Sequence, residues 1–170
     1  MKLLFILINL FIVSFSFADV VYEKTSLKDP FGKTIVKLKI ENEIQEGDYD
    51  AFNEAIIDIN QNDYRVDQDS VILNSRGGLM YDARKIGYLV RYNHLATKVN
   101  RFDECSSACT AILVSGVCRM ALGTVRLHNS WTNEPIDGKD YVKNLTKWSS
   151  QFEDDFLKQM NATQEFIDIE

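Results

Sequence analysis

Short strand-like apolar runs that alternate with amphipathic helical stretches restrict this chain more than any other feature. Thr34 to Ile40 alternates, with Thr34, Val36, Leu38 and Ile40 on one face and Ile35, Lys37 and Lys39 on the other, which is the pattern of a strand with one buried face. Gly47-Asp48 opens a helix in which Phe52, Ala55, Ile56 and Ile59 recur at helical spacing and form one apolar stripe. Val71-Ile72-Leu73 reads as a short buried strand, and Asn74-Ser75-Arg76-Gly77-Gly78 as the tight turn after it. A second helix presents Met80, Ala83, Ile86, Gly87 and Val90 on one face, and Thr97 to Asn100 forms a short strand. Cys105 to Ser107 reads as a turn into Ala108 to Val114, a helix apolar on all sides and therefore buried. Arg119 to Leu127 follows as strand, turn and strand, ending at His128. A long helix over about 140–160 carries Tyr141, Leu145, Trp148, Phe152, Phe156 and Met160 on its inner stripe, and Asp19 to Lys33 is an extended lead-in. Strands alternating with helices predict an α/β architecture with mainly parallel pairing. In such sheets sites gather where a strand ends and a helix begins. Two of those junctions are chemically unusual here, Asn74 to Gly78 and Cys105 to Cys109.

The N-terminus has the three-part layout of a secretory leader: Met1-Lys2, an almost wholly apolar run from Leu3 to Phe15, and the small residues Ser16 and Ala18 around Phe17. The apolar run is shorter than the ~20 residues a spanning helix needs, so cleavage between Ala18 and Asp19 is expected. The product is an exported, periplasmic protein with no stable membrane anchor. Residues 1–18 are then the signal peptide and 19–170 a single domain, large enough to bury a substantial core. The formal charge of -6 moves to -7 once Lys2 is lost, and this acidic balance argues against nucleic acid as a partner.

Three cysteines, Cys105, Cys109 and Cys118, leave at least one unpaired within the chain, and export permits a disulfide. A bridge involving Cys105 or Cys109 is expected, and spacing does not decide the pair. With His128 these cysteines match no zinc-ligand spacing, so neither metal nor cofactor is expected.

Three places carry residues able to do chemistry. The glycines Gly77 and Gly78 after a buried strand allow positive φ and close approach of a ligand to bare backbone, and N–H groups left free at the next helix start hold a negative oxygen. Ser107 stands where a turn enters a buried helix. There a serine serves either as a helix cap or as a nucleophile presented at a helix start, with Ser106 the competing candidate. His128, at a strand end, is a base of the type such a serine needs. His94, in the polar setting of Arg91-Tyr92-Asn93, reads as exposed.

The order of these pieces resembles the ClpP-like serine peptidases of the ClpP/crotonase superfamily, from about Ile35 to His128. Leu73-Asn74-Ser75-Arg76-Gly77-Gly78 looks like that family's oxyanion loop, with Arg76 where the family has proline. Ser107 followed by Gly116 matches the spacing from nucleophile to helix-ending glycine, and Val125-Arg126-Leu127-His128 looks like the segment ending in the base. A group of exported ClpP-like proteins is similar more closely, through Cys105-Ser106-Ser107-Ala108-Cys109-Thr110 and the downstream Gly116 to Arg119 pattern. The resemblance implies repeated β-β-α units around a mainly parallel sheet, and a homo-oligomer. It implies Ser107 as nucleophile, His128 as general base, Gly78 and Ala108 as oxyanion N–H donors, and Gly77 as the residue that allows the turn. It implies acyl-enzyme hydrolysis of a peptide or protein substrate. The family's acid follows the histidine; Asp137, Asp140, Asp154, Asp155 and Asp168 are available by type, and none matches a motif. A non-catalytic binding or assembly module on the same fold is the alternative. Thioester chemistry of the crotonase kind conflicts with export, because its coenzyme substrates are cytoplasmic.

Overall fold

The structure, a computed structural model, describes residues 19–126 and 155–162. The leader and residues 127–154 therefore lie outside the described residues, as does most of the long C-terminal helix expected from the sequence.

Chain order is β1 (Asp19–Lys28), β2 (Thr34–Ile44), α1 (Asp48–Gln61), β3 (Arg65–Gly78), α2 (Met80–Tyr92), β4 (Ala96–Val99), β5 (Glu104–Ser106), α3 (Cys109–Ser115), β6 (Arg119–Ala121) and β7 (Thr124–Arg126). The described strands form one sheet in the order β1-β2-β3-β4-β6, with β5 joined to β3 and β7 joined to β5. β1 runs antiparallel to β2, and every other pairing is parallel. The expected α/β architecture with a mainly parallel sheet is therefore what the chain forms. The extended lead-in is a strand, β1, and its partner is β2, with Val20 opposite Ile40.

Alternation in β2 buries Val36, Leu38 and Ile40 against Phe52, Ile56 and Ile59 of α1 and Ile86 of α2. Burial of each such side chain stabilises the fold by roughly 1.5–3 kcal/mol. All seven residues of α3 are buried, as its uniformly apolar sequence predicts. Phe156, Leu157 and Met160, from helical residues 155–159 and the turn after them, complete this layer of the core.

Two expectations are corrected. Asn74 to Gly78 is not a tight turn but the end of β3, where Asn74 pairs with Glu41 and Gly78 with Ile44. The parallel partner keeps these residues extended, and the two glycines absorb the change of direction at φ 94° and 132°. Cys105 and Ser106 likewise lie in a strand, because Cys105 pairs with Ser75 on one side and Val125 on the other. The turn itself is Ser107-Ala108.

Candidate active site

Ser107 connects β5 to α3 with φ at +53°. A residue with a β-carbon adopts this left-handed region only at a cost, and such positions cluster at functional turns. Backbone hydrogen bonds hold it there. The Ser107 N–H donates to the Arg126 carbonyl at 3.0 Å, and the Ser107 carbonyl accepts from the Thr110 N–H at 2.9 Å and the Thr110 hydroxyl at 2.6 Å. The N-cap position of α3 is Ala108, so Ser107 stands one residue before the cap. Ser106, the competing serine, is buried, and its Oγ is sealed without a hydrogen-bond partner. Ser107 is the more open of the two.

The glycine segment meets this elbow directly. A β-carbon added to Gly77 would stand 2.5 Å from the Ser106 carbonyl oxygen, 2.6 Å from Ser107 Cβ and 2.8 Å from the Ala108 nitrogen. Only a residue without a side chain lets β3 and the elbow approach so closely. The Ala108 N–H donates to no acceptor among the described residues. A free backbone N–H beside a serine is a component that an oxyanion site requires. A β-carbon added to Gly78 would run instead into the backbone of Ile44 on β2. The structure thus sets Gly77 against the serine elbow and Gly78 against β2.

Charged side chains span the strands around the elbow. Arg76 Nε donates to Glu104 Oε1 at 2.9 Å, and Arg126 Nη1 to Glu104 Oε2 at 3.1 Å. The Glu104 N–H also donates to Asn74 Oδ1 at 3.2 Å. Side chains alternate across a strand, so Asn74 and Arg76 are exposed while Ser75 and Gly77 between and beyond them are buried. Asp82, the first acid after Arg76 in the sequence, is the partner that proximity suggests. Asp82 is instead buried in the first turn of α2, and Glu104, distant in sequence but beside β3 in the sheet, takes that place. A polar cleft of about 730 Å³ opens here, lined by residues that include Asn42, Glu43, Asn74, Arg76, Glu104 and Thr124. Glu104 was missed because nothing marks it in the sequence. The one usable signal is that Arg76 and Arg126 are cations that both flank candidate site residues.

Of the three cysteines, Cys105 and Cys109 are bonded to each other, with α-carbons 5.3 Å apart, and Cys118 is a free, exposed thiol. His128 lies outside the described residues. Arg126, two residues before it, pairs with Ser106 across β5 and β7 and accepts the Ser107 N–H. Among the acids considered for a third role, Asp155 is exposed, and the other four lie outside the described residues. His94 is exposed, as expected.

No family model matches this chain, and no curated protein does. Solved structures do. The ClpP protease catalytic domain from Plasmodium falciparum aligns at 19% identity over 79% of this chain and 70% of that one, with a TM-score of 0.50. A ClpP1 mutant from Listeria monocytogenes aligns at 15% identity over 78% and 76%, with a TM-score of 0.52. A membrane-bound stomatin-specific protease aligns at 19% identity with a TM-score of 0.42, and the chain spans 56% of that protein's length. The chain has the ClpP/crotonase-like fold.

Proposed function

We propose that this protein is an exported serine hydrolase of the peptidase kind. Ser107 is the nucleophile and His128 the general base, with the N–H groups of Ala108 and Gly78 stabilising the oxyanion. Substrate carbonyl carbon is attacked by Ser107 Oγ while His128 takes the hydroxyl proton and returns it to the leaving amine. Water then hydrolyses the acyl-enzyme by the same proton path. The observation that carries this reading is the packing of Gly77 against the left-handed Ser107 elbow. Two segments about thirty residues apart meet there and leave one serine open and one backbone N–H unused. The protease neighbours on the same fold add to it.

Export rests on the leader sequence. Homo-oligomer formation rests on the resemblance, and the exposed Val117, Met120 and Leu122 at the β6 edge of the sheet are the surface it would cover.

The test is hydrolysis of an unfolded, fluorescently labelled protein such as casein by the mature chain. Ser107→Ala is expected to abolish the signal with its circular dichroism unchanged. His128→Ala is expected to lower it by about 10²–10⁴-fold. Undiminished hydrolysis by Ser107→Ala contradicts the assignment.

A further inference from the structure

Cys105 is the middle residue of β5 and Cys109 the first residue of α3, so their bridge closes a ring around Ser106, Ser107 and Ala108. Both cysteines are fully buried. What such a bridge does can be judged from its span. The loop-closure contribution of a disulfide grows with the number of residues it encloses, and this one joins residues only four apart in sequence. It restrains the unfolded chain little, and the sheet, α1, α2 and α3 already share a large apolar core. Its effect is concentrated on the conformation of the three residues inside the ring. One of those is Ser107 at φ +53°, a conformation a serine seldom holds unless its surroundings impose it. Another is Ala108, whose backbone nitrogen lies against Gly77.

We propose that Cys105 and Cys109 are positioning residues for the Ser107 site, and that the serine becomes an activated nucleophile only when their disulfide has formed. The proposal rests on the reading of Ser107 as the nucleophile. In bridge formation the two thiols give up two protons and two electrons. The electrons pass to a dithiol–disulfide exchange oxidant, whose own disulfide becomes two thiols. Because both sulfurs are buried, the exchange takes place while the turn is open, during folding. The chain is therefore inert wherever thiols are kept reduced, and gains its site on folding where they are oxidised. Cys118, exposed and outside the ring, has no part in this except as a competitor for mispairing.

The experiment measures the rate of fluorophosphonate modification at Ser107 in a Cys118→Ser background, which removes mispairing. Oxidised protein is compared with Cys105→Ala/Cys109→Ala, and with the Cys118→Ser chain refolded under a phosphine reductant, then unfolded and refolded in glutathione disulfide. The expected result is a cooperative melt in both dithiol-free and reduced forms, a modification rate at least about 10-fold lower, in line with loss of an oriented oxyanion donor, and recovery on re-oxidation. Equal rates with and without the bridge overturn the proposal and leave the nucleophile assignment standing. Failure of the double variant and of the reduced chain to fold at all also overturns it, by making the bridge a general structural element. Absence of modification in the oxidised chain overturns the nucleophile reading and this extension together.

Discussion

At the residue scale Gly77 does more than permit a bend. Atoms of Ser106, Ser107 and Ala108 fill the space that a β-carbon on it would take, and its φ of 94° is itself unfavourable for any residue with a β-carbon. Gly77→Ala should therefore destabilise the fold by on the order of 1–3 kcal/mol, measured by chemical denaturation. In whatever fraction still folds, it should move the elbow enough to lower Ser107 reactivity. A variant with unchanged stability would mean that β3 does not lie against the elbow. Gly77 and Ser107 were singled out in the sequence by the order of the pieces, because a glycine pair or a serine at a helix start is by itself a weak signal. The division of labour between the glycines was not legible. Gly77 and Gly78 differ only in what stands opposite each, Ser107 in one case and Ile44 in the other, and that is decided by strand register.

At the scale of elements, the Gly116 to Arg119 pattern acquires a physical reading. Arg119 Nε donates to the Gly116 carbonyl at 3.2 Å, and its Nη2 donates to the Met160 carbonyl. Arg91 Nη2 meets that same carbonyl at 2.6 Å and reaches the Val114 carbonyl at 3.3 Å. Two guanidinium groups thus tie the end of α3 to the end of helical residues 155–159. Burial, and then the charge of Arg91, hold the Arg119 guanidinium below its ordinary pKa. Arg119→Ala should cost about 1–3 kcal/mol and increase amide exchange over 155–160. Unaltered exchange there would show that Arg119 does not secure this segment. The Arg76–Glu104–Arg126 set is a different case. Its arginines are largely exposed, and exposed pairs contribute roughly 0–1 kcal/mol each, so Glu104→Gln should leave the melting temperature within a few degrees of wild type. Strands β2 and β4 and helices α1 to α3 could be read from periodicity, because one buried face imposes a period of 2 or 3.6. The continuation of β3 through Gly78 and the strand character of Cys105 and Ser106 could not. Both depend on parallel partners brought from elsewhere in the chain, while their local sequence carries turn signals.

For the molecule as a whole, two carboxylates far from the elbow contribute to the acid limb of stability. Burial alone would raise the Asp29 carboxyl, but the N–H groups of Lys33 and Phe31 and the Arg65 guanidinium outweigh it and hold Asp29 below its ordinary value. Asp58 is likewise lowered, by the Tyr22 hydroxyl and then by Lys24. A carboxylate whose folded pKa is depressed stabilises the protein above its unfolded value, about 4, and that contribution is lost as pH falls through the folded value. Asp29→Asn should lower stability at neutral pH and flatten its decline below about pH 4, measured by denaturation across pH. An unchanged acid limb would show that Asp29 contributes nothing to it. The α/β class and the mainly parallel sheet were legible at this scale, because alternation of strand and helix leaves few other architectures. The Arg65–Asp29 contact was not, since it joins the β1–β2 connection to the start of β3.

Reactivity of Ser107 is what the proposed function requires. Treating the oxidised mature chain with a fluorophosphonate, weighing the intact protein and mapping the modified peptide tests it most directly. One adduct per chain is expected, on Ser107, lost in His128→Ala. A folded chain that takes up no label, or takes it up on another residue, contradicts the account and points to a binding module built on the same fold.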